Sequence, residues 1–113
     1  MKTHTKKRLL DALTACQAIE VFIAGRAFAD YEQNLILRSA VERQFEIIGE
    51  SLHHAEADDP AVTELLPELR RIVGMRNRII HGYDSVDDEL LWQTIQHNIP
   101  PLREHLEQIL TAE

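Results

Sequence analysis

Leu37, Val41, Phe45, Ile48 and Leu52 recur in steps of four, four, three and four. A strand places every second residue on one face, whereas a helix places every third or fourth residue there. This run therefore fits a helix with one buried stripe. Leu9, Leu13, Cys16, Ile19 and Ile23 show the same spacing near the start, and Leu69, Ile72, Met75 and Ile79 show it later. No stretch alternates convincingly with period two. The four glycines and four prolines sit mostly at boundaries, as they do in helical domains with short connections.

The spacing predicts a first helix from about Thr5 to Ile23, stopped at Gly25. A second is expected after Asp30, whose carboxylate can cap it, running to about Ala55. Asp58-Asp59-Pro60 interrupts the chain and opens a new helical turn, with Pro60 inside it. Pro67 separates that turn from a third helix, Pro67 to about Ile80, which Gly82 closes. A fourth spans about Val86 to His97, with Asp87, Asp88 and Glu89 favourable in its first turn. Pro100 and Pro101 are expected to break it and start a last helix to about Leu110. The fold class expected is an all-α, up-and-down bundle of four to five helices. A length of 113 residues suits a single domain, residues 1–113. So short a chain buries a modest fraction of its surface, so a partner or a second copy is an expected source of stability.

With a formal net charge of −7, the chain does not suit a general coat for nucleic acid, which needs a basic excess. Its cations nevertheless cluster: Lys2, Lys6, Lys7 and Arg8, then Arg70, Arg71, Arg76 and Arg78, with no lysine after Lys7. The first group reads as a frayed basic tail, or as a contact for RNA or an acidic partner. Cys16 is the only cysteine, so no intrachain disulfide forms and a reducing compartment is expected. No apolar run matches a signal peptide or a membrane helix. The expectation is a cytoplasmic protein with no membrane partner.

The segment RNRIIHGYD, Arg76 to Asp84, carries most of the chemistry. Arg76, Arg78 and His81 fall within six residues. At about 100° per residue, Arg76 and His81 stand about 140° apart on a regular helix. They converge only if the helix ends near Gly82 or if a second subunit brings its own copy. Together they could cleave RNA without a metal. Histidine can take the proton of the 2′-hydroxyl or give one to the departing 5′-oxygen. Arginine can hold the phosphate bidentately as charge builds on it. Asn77 can orient either group, and Tyr83 can reach phosphate through its hydroxyl. The bland account of the same residues is a histidine favoured by a helix C-terminus beside solvated arginines, with Tyr83 packed on the following helix.

Other candidates carry less. Glu50 and His53 form a single Glu-x-x-His pair, with Glu46 one turn earlier. A di-metal bundle needs two such pairs and two further carboxylates, so no metal and no cofactor are expected. Glu46 is expected to pair with Arg43, and His53 and His54 to face solvent. Cys16 reads as a small buried residue, and Trp92 as core or interface, with base stacking the alternative.

GMRNRIIHGY, Gly74 to Tyr83, resembles the signature of the HepT-like branch of the HEPN superfamily: Arg, four residues, His, any residue, Tyr. FEIIGES, Phe45 to Ser51, resembles that family's IGEA segment, with Ser51 in place of the usual alanine. VDDELLW, Val86 to Trp92, and NIPPL, Asn98 to Leu102, resemble its closing portion. The resemblance spans nearly the whole chain in one order. It implies a HEPN-like helical bundle that forms a homodimer, with the Arg and His of both copies in a shared cleft. It implies a metal-independent endoribonuclease, the toxin of a toxin–antitoxin pair, whose partner is a nucleotidyltransferase antitoxin that silences it by AMP transfer to the motif tyrosine. Carried over, Arg76 and His81 are the catalytic pair, Asn77 is the polar residue common after the Arg, and Tyr83 is the site of modification. Arg78 has no family role and reads as an added phosphate contact. The alternative is a non-catalytic helical module that docks on a nucleotidyltransferase and binds nucleotide or RNA.

Overall fold

The computed structural model describes residues 1–82, 84 and 86–112. Six helices follow one another among them: α1 (Thr3–Ile23), α2 (Phe28–Gln33), α3 (Leu35–Asp58), α4 (Val62–Leu65), α5 (Leu69–His81) and α6 (Asp88–Ala112). The described residues contain no strand, so the all-α class stands as the spacing predicts. No helix among them is long and apolar enough to cross a membrane.

Three boundaries depart from expectation, each for a local reason. The expected second helix is two helices. Asn34 adopts an extended backbone between them, and its side-chain oxygen accepts the Leu37 N–H at 3.0 Å to cap α3. Asp30 lies inside α2 and accepts the Ala27 N–H at 2.8 Å, closing that helix's start instead. The basic N-terminus is no frayed tail: α1 begins at Thr3, Lys7 pairs with Asp11 one turn on, and Lys2 Nζ donates to the Asp58 carbonyl at 2.8 Å. The third departure is at Pro100 and Pro101, which lie inside α6 without ending it. Each proline removes one backbone donor and crowds the carbonyl four residues back. Against that, Leu91, Ile95, Ile99, Leu102 and Leu106 form one stripe in steps of four, four, three and four, all buried. Breaking α6 would rotate half of this stripe out of the core. The stop of α1 falls where expected: Gly25 has φ 72°, a left-handed conformation that glycine adopts without penalty.

α1 and α3 lie along each other, α5 packs chiefly on α3, and α6 on α1. Leu9, Cys16, Phe45, Ile48 and Leu52 are fully buried between them. Burial pushes the Cys16 thiol well above its usual range, as expected for a small apolar residue with no role as a nucleophile. Trp92 is core: its ring lies 5.2 Å from that of Tyr31 and 6.3 Å from that of Phe28, both tilted. Polar pairs tie the rim. Arg103 reaches Glu20 of α1 at 2.6 Å, and His105 reaches the buried Glu68 at 2.9 Å.

Glu42 sits half-buried on α3, and burial raises its carboxyl pKa; the Asp88 carboxylate adds to the rise and Arg38 opposes it. A carboxyl whose pKa is raised on folding costs stability above that pKa, and the cost disappears as the pH falls through it. Glu42→Gln should therefore raise Tm at neutral pH, with the gap to wild type closing in mild acid. Thermal melts of both proteins across that range check the sign.

Candidate active site

α5 is set by its apolar edge. Leu69, Ile72, Met75 and Ile79 are buried, and they turn the helix against α3. Arg76 leaves α5 on the α3 side, where it is half-buried. Its path crosses Gly49. A Cβ built on Gly49 would stand 2.3 Å from Arg76 Cβ and 2.5 Å from its Cγ, far inside van der Waals contact. The glycine is thus a seat for the arginine stem. At the head, Arg76 Nη1 donates to Asn77 Oδ1 at 2.7 Å, so Asn77 bears on Arg76 rather than on the histidine.

His81 takes the other side. It is exposed and lines a cleft of about 430 Å³ with Arg78, over a floor of Met75, Val86 and Leu90. Asp87 sits at the rim, where its carboxylate accepts the Leu90 N–H at 3.0 Å and caps α6. Arg76 does not line this cleft. The helix stays regular through His81, and the Gly82 N–H still donates to the Arg78 carbonyl at 3.1 Å. The imidazole therefore does not swing back toward Arg76 within one copy. Of the two ways for the pair to converge, a helix end near Gly82 is not used here. Tyr83, the expected modification site, lies outside the described residues.

The secondary candidates are accounted for locally. Glu46 pairs with Arg43 at 3.5 Å, and His54 lies 3.8 Å from Glu50, while His53 is exposed.

The sequence pattern of the family described as ribonuclease HepT-like matches residues 12–109. The chain belongs to the ribonuclease HepT-like family. Among its relatives is a candidate ribonuclease HepT of Thermococcus cleftensis, 34% identical over 111 residues, covering 96% of this chain and 98% of that one. A candidate RNase of Caldanaerobacter subterraneus subsp. tengcongensis is 31% identical over 101 residues, 89% of each chain. Another, of Methanocaldococcus jannaschii, is 30% identical over 108 residues, 94% of this chain and 96% of that one. No solved structure matches the chain significantly. By family the protein is a ribonuclease, and its bundle is of the HEPN kind.

The matched span contains α3 and α5 whole, and with them the HepT-like chain's most informative contact, which sequence reasoning missed. FEIIGES is legible as a segment, but nothing in it says what Gly49 touches. The available signal is a glycine in mid-helix, where it is disfavoured by about 1 kcal/mol relative to alanine and marks no turn. Gly49→Ala should cost about 1–3 kcal/mol of stability by overpacking and displace Arg76. Denaturant unfolding that leaves the midpoint unchanged would contradict the contact.

Proposed function

We propose that this HepT-like chain is a metal-independent endoribonuclease toxin, working in the cytoplasm as a homodimer whose site pairs Arg76 of one copy with His81 of the other. The observation that carries this reading is the separation of the two groups. Arg76 is seated on Gly49 toward α3, and His81 lines the cleft on the far side of α5. A single copy turns the two groups to different sides of α5, and a two-fold interface whose patch includes both sets Arg76 of one copy against His81 of the other, and the reverse.

In the proposed step, a His81 imidazole takes the proton of a 2′-hydroxyl. The 2′-oxygen attacks the adjacent phosphorus in line, the bond to the 5′-oxygen breaks, and that oxygen gains a proton from an imidazolium. The products are a 2′,3′-cyclic phosphate and a free 5′-hydroxyl. Two copies supply two imidazoles, one as base and one as acid. Arg76 holds the phosphate oxygens as their charge grows, with Asn77 fixing its guanidinium. Arg78, beside His81 in the cleft, adds a phosphate contact. The chemistry requires no metal.

Regulation follows the resemblance of the motif. A nucleotidyltransferase antitoxin transfers AMP from ATP to Tyr83: the phenol oxygen, losing its proton, attacks the α-phosphorus and pyrophosphate leaves, placing a bulky anion two residues from His81 and blocking the phosphate site.

Two experiments test this. RNA cleavage in EDTA should persist for wild type, fall about 10²–10⁴-fold in His81→Ala and fall about 10²–10³-fold in Arg76→Ala. Full activity in either variant would remove that residue from the site. Tyr83→Phe should cut RNA normally and gain no AMP mass when incubated with the antitoxin and ATP; silencing of this variant through AMP transfer would sink the tyrosine assignment.

A further inference from the structure

Gly49 has a reason within the chain, and Gly74 has none. Gly74 is exposed in the middle of α5, and a Cβ there would meet nothing within 4 Å. It stands three residues after Arg71 and four before Arg78, on one stripe of the helix. At 1.5 Å per residue the two arginines lie about 10.5 Å apart along the axis, with only Gly74 and the buried Met75 between them. A second cleft, of about 540 Å³, runs along this stripe and joins the His81 cleft through Met75, Arg78 and Leu90. α5 and α6 leave this space because each packs mainly on another helix.

The charges in the second cleft differ in their availability. Arg70 is held by Glu56 of α3 at 3.0 Å. The guanidinium groups of Arg71 and Arg78 make no hydrogen bond or ion pair with any described residue. In a chain of net charge −7, this is a local cationic stripe ending at His81.

We propose that Arg71, Gly74 and Arg78 form a track for the backbone of single-stranded RNA leading into the His81 cleft. The proposal rests on the reading of this chain as a ribonuclease, and it extends the site by nucleotides that are held but not cut. The two guanidiniums take phosphates, and the missing side chain at Gly74 lets the backbone approach α5 between them. Met75 and Leu90 in the floor offer an apolar surface to a base face, which only an unpaired nucleotide exposes. Elsewhere the acidic surface repels a polyanion, which favours this path. A second copy's α5 is a poorer occupant, because a symmetric contact here would set Arg71 and Arg78 of one copy against those of the other.

The test uses the full chain in a His81→Ala background, so that RNA is bound and not consumed. Binding of a labelled single-stranded RNA is measured by fluorescence anisotropy across salt concentrations. Arg71→Gln and Gly74→Gln should each weaken binding about tenfold, about 1.4 kcal/mol. Arg71→Gln should also flatten the slope of log K against log salt by about 0.7, the loss of one phosphate contact. Gly74→Gln should keep or raise its Tm and keep its mass on size exclusion, since the new side chain enters open space. Binding within about twofold of the background for either variant overturns the track. So does a change of oligomeric mass in Gly74→Gln, which would assign the gap to a second copy. The two readings fail separately. Wild type that binds RNA through Arg71 but never cuts it removes the nuclease and leaves the track; wild type that cuts while Arg71→Gln binds unchanged removes only the track.

Discussion

The contact between Gly49 and the Arg76 stem sets the layout of everything that follows. With Arg76 Cβ and Cγ within 2.5 Å of where a Gly49 Cβ would be, α3 and α5 pack closer here than any side chain at position 49 allows. That closeness fixes the rotation of α5 about its own axis. Once Arg76 faces α3, the helical repeat leaves no freedom for the rest. Ile72 and Ile79 are buried, and Arg71, Gly74, Arg78 and His81 are turned to the other side. A helix rolled by one residue would bring Met75 or Asn77 to the seat in place of Arg76 and spoil both faces. The positions of Arg76 and His81 are thus consequences of one glycine in another helix.

Electrostatics give this layout its direction. The surface is acidic in sum, yet α5 carries Arg70, Arg71, Arg76 and Arg78 within nine residues. Their fates differ by partner. Arg70 is neutralised by Glu56, Arg76 is held by Asn77, and Arg71 and Arg78 have no described partner. Exposed ion pairs contribute little to stability, so arginines left without them cost the fold little and remain available to an anion. This is the reverse of α6, where Arg103 is bound at once by Glu20 and Glu107 and serves packing of the helix ends.

Much of the fold was legible because burial follows period. The stripes beginning at Leu9, Leu37 and Leu69 are the buried faces of α1, α3 and α5. What period does not show is where backbone donors are spared or capped. Asn34 splits one expected helix in two by a single side-chain hydrogen bond, a choice invisible to apolar spacing. Pro100 and Pro101 read as a break because their local cost is plain, while the stripe that outweighs it is spread over sixteen residues, Leu91 to Leu106. At the site, the spacing of Arg76 and His81 already implied separate faces. It could not show which neighbour each face meets. That needs α3 beside α5, a fact of tertiary packing, and so Gly49 and Gly74 looked alike in sequence while one is filled by the chain and the other is open.

The central claim is that Arg76 and His81 act across two copies, and mixed dimers test it directly. Arg76→Ala and His81→Ala chains, co-expressed with different tags and isolated as heterodimers, keep one intact Arg–His pair, made only between copies. A heterodimer of wild type with the double variant keeps one intact pair, made only within a copy. Both heterodimers keep a single imidazole, so the account predicts slowed but measurable RNA cleavage by the first and its loss in the second. Cleavage by the second and none by the first would contradict it.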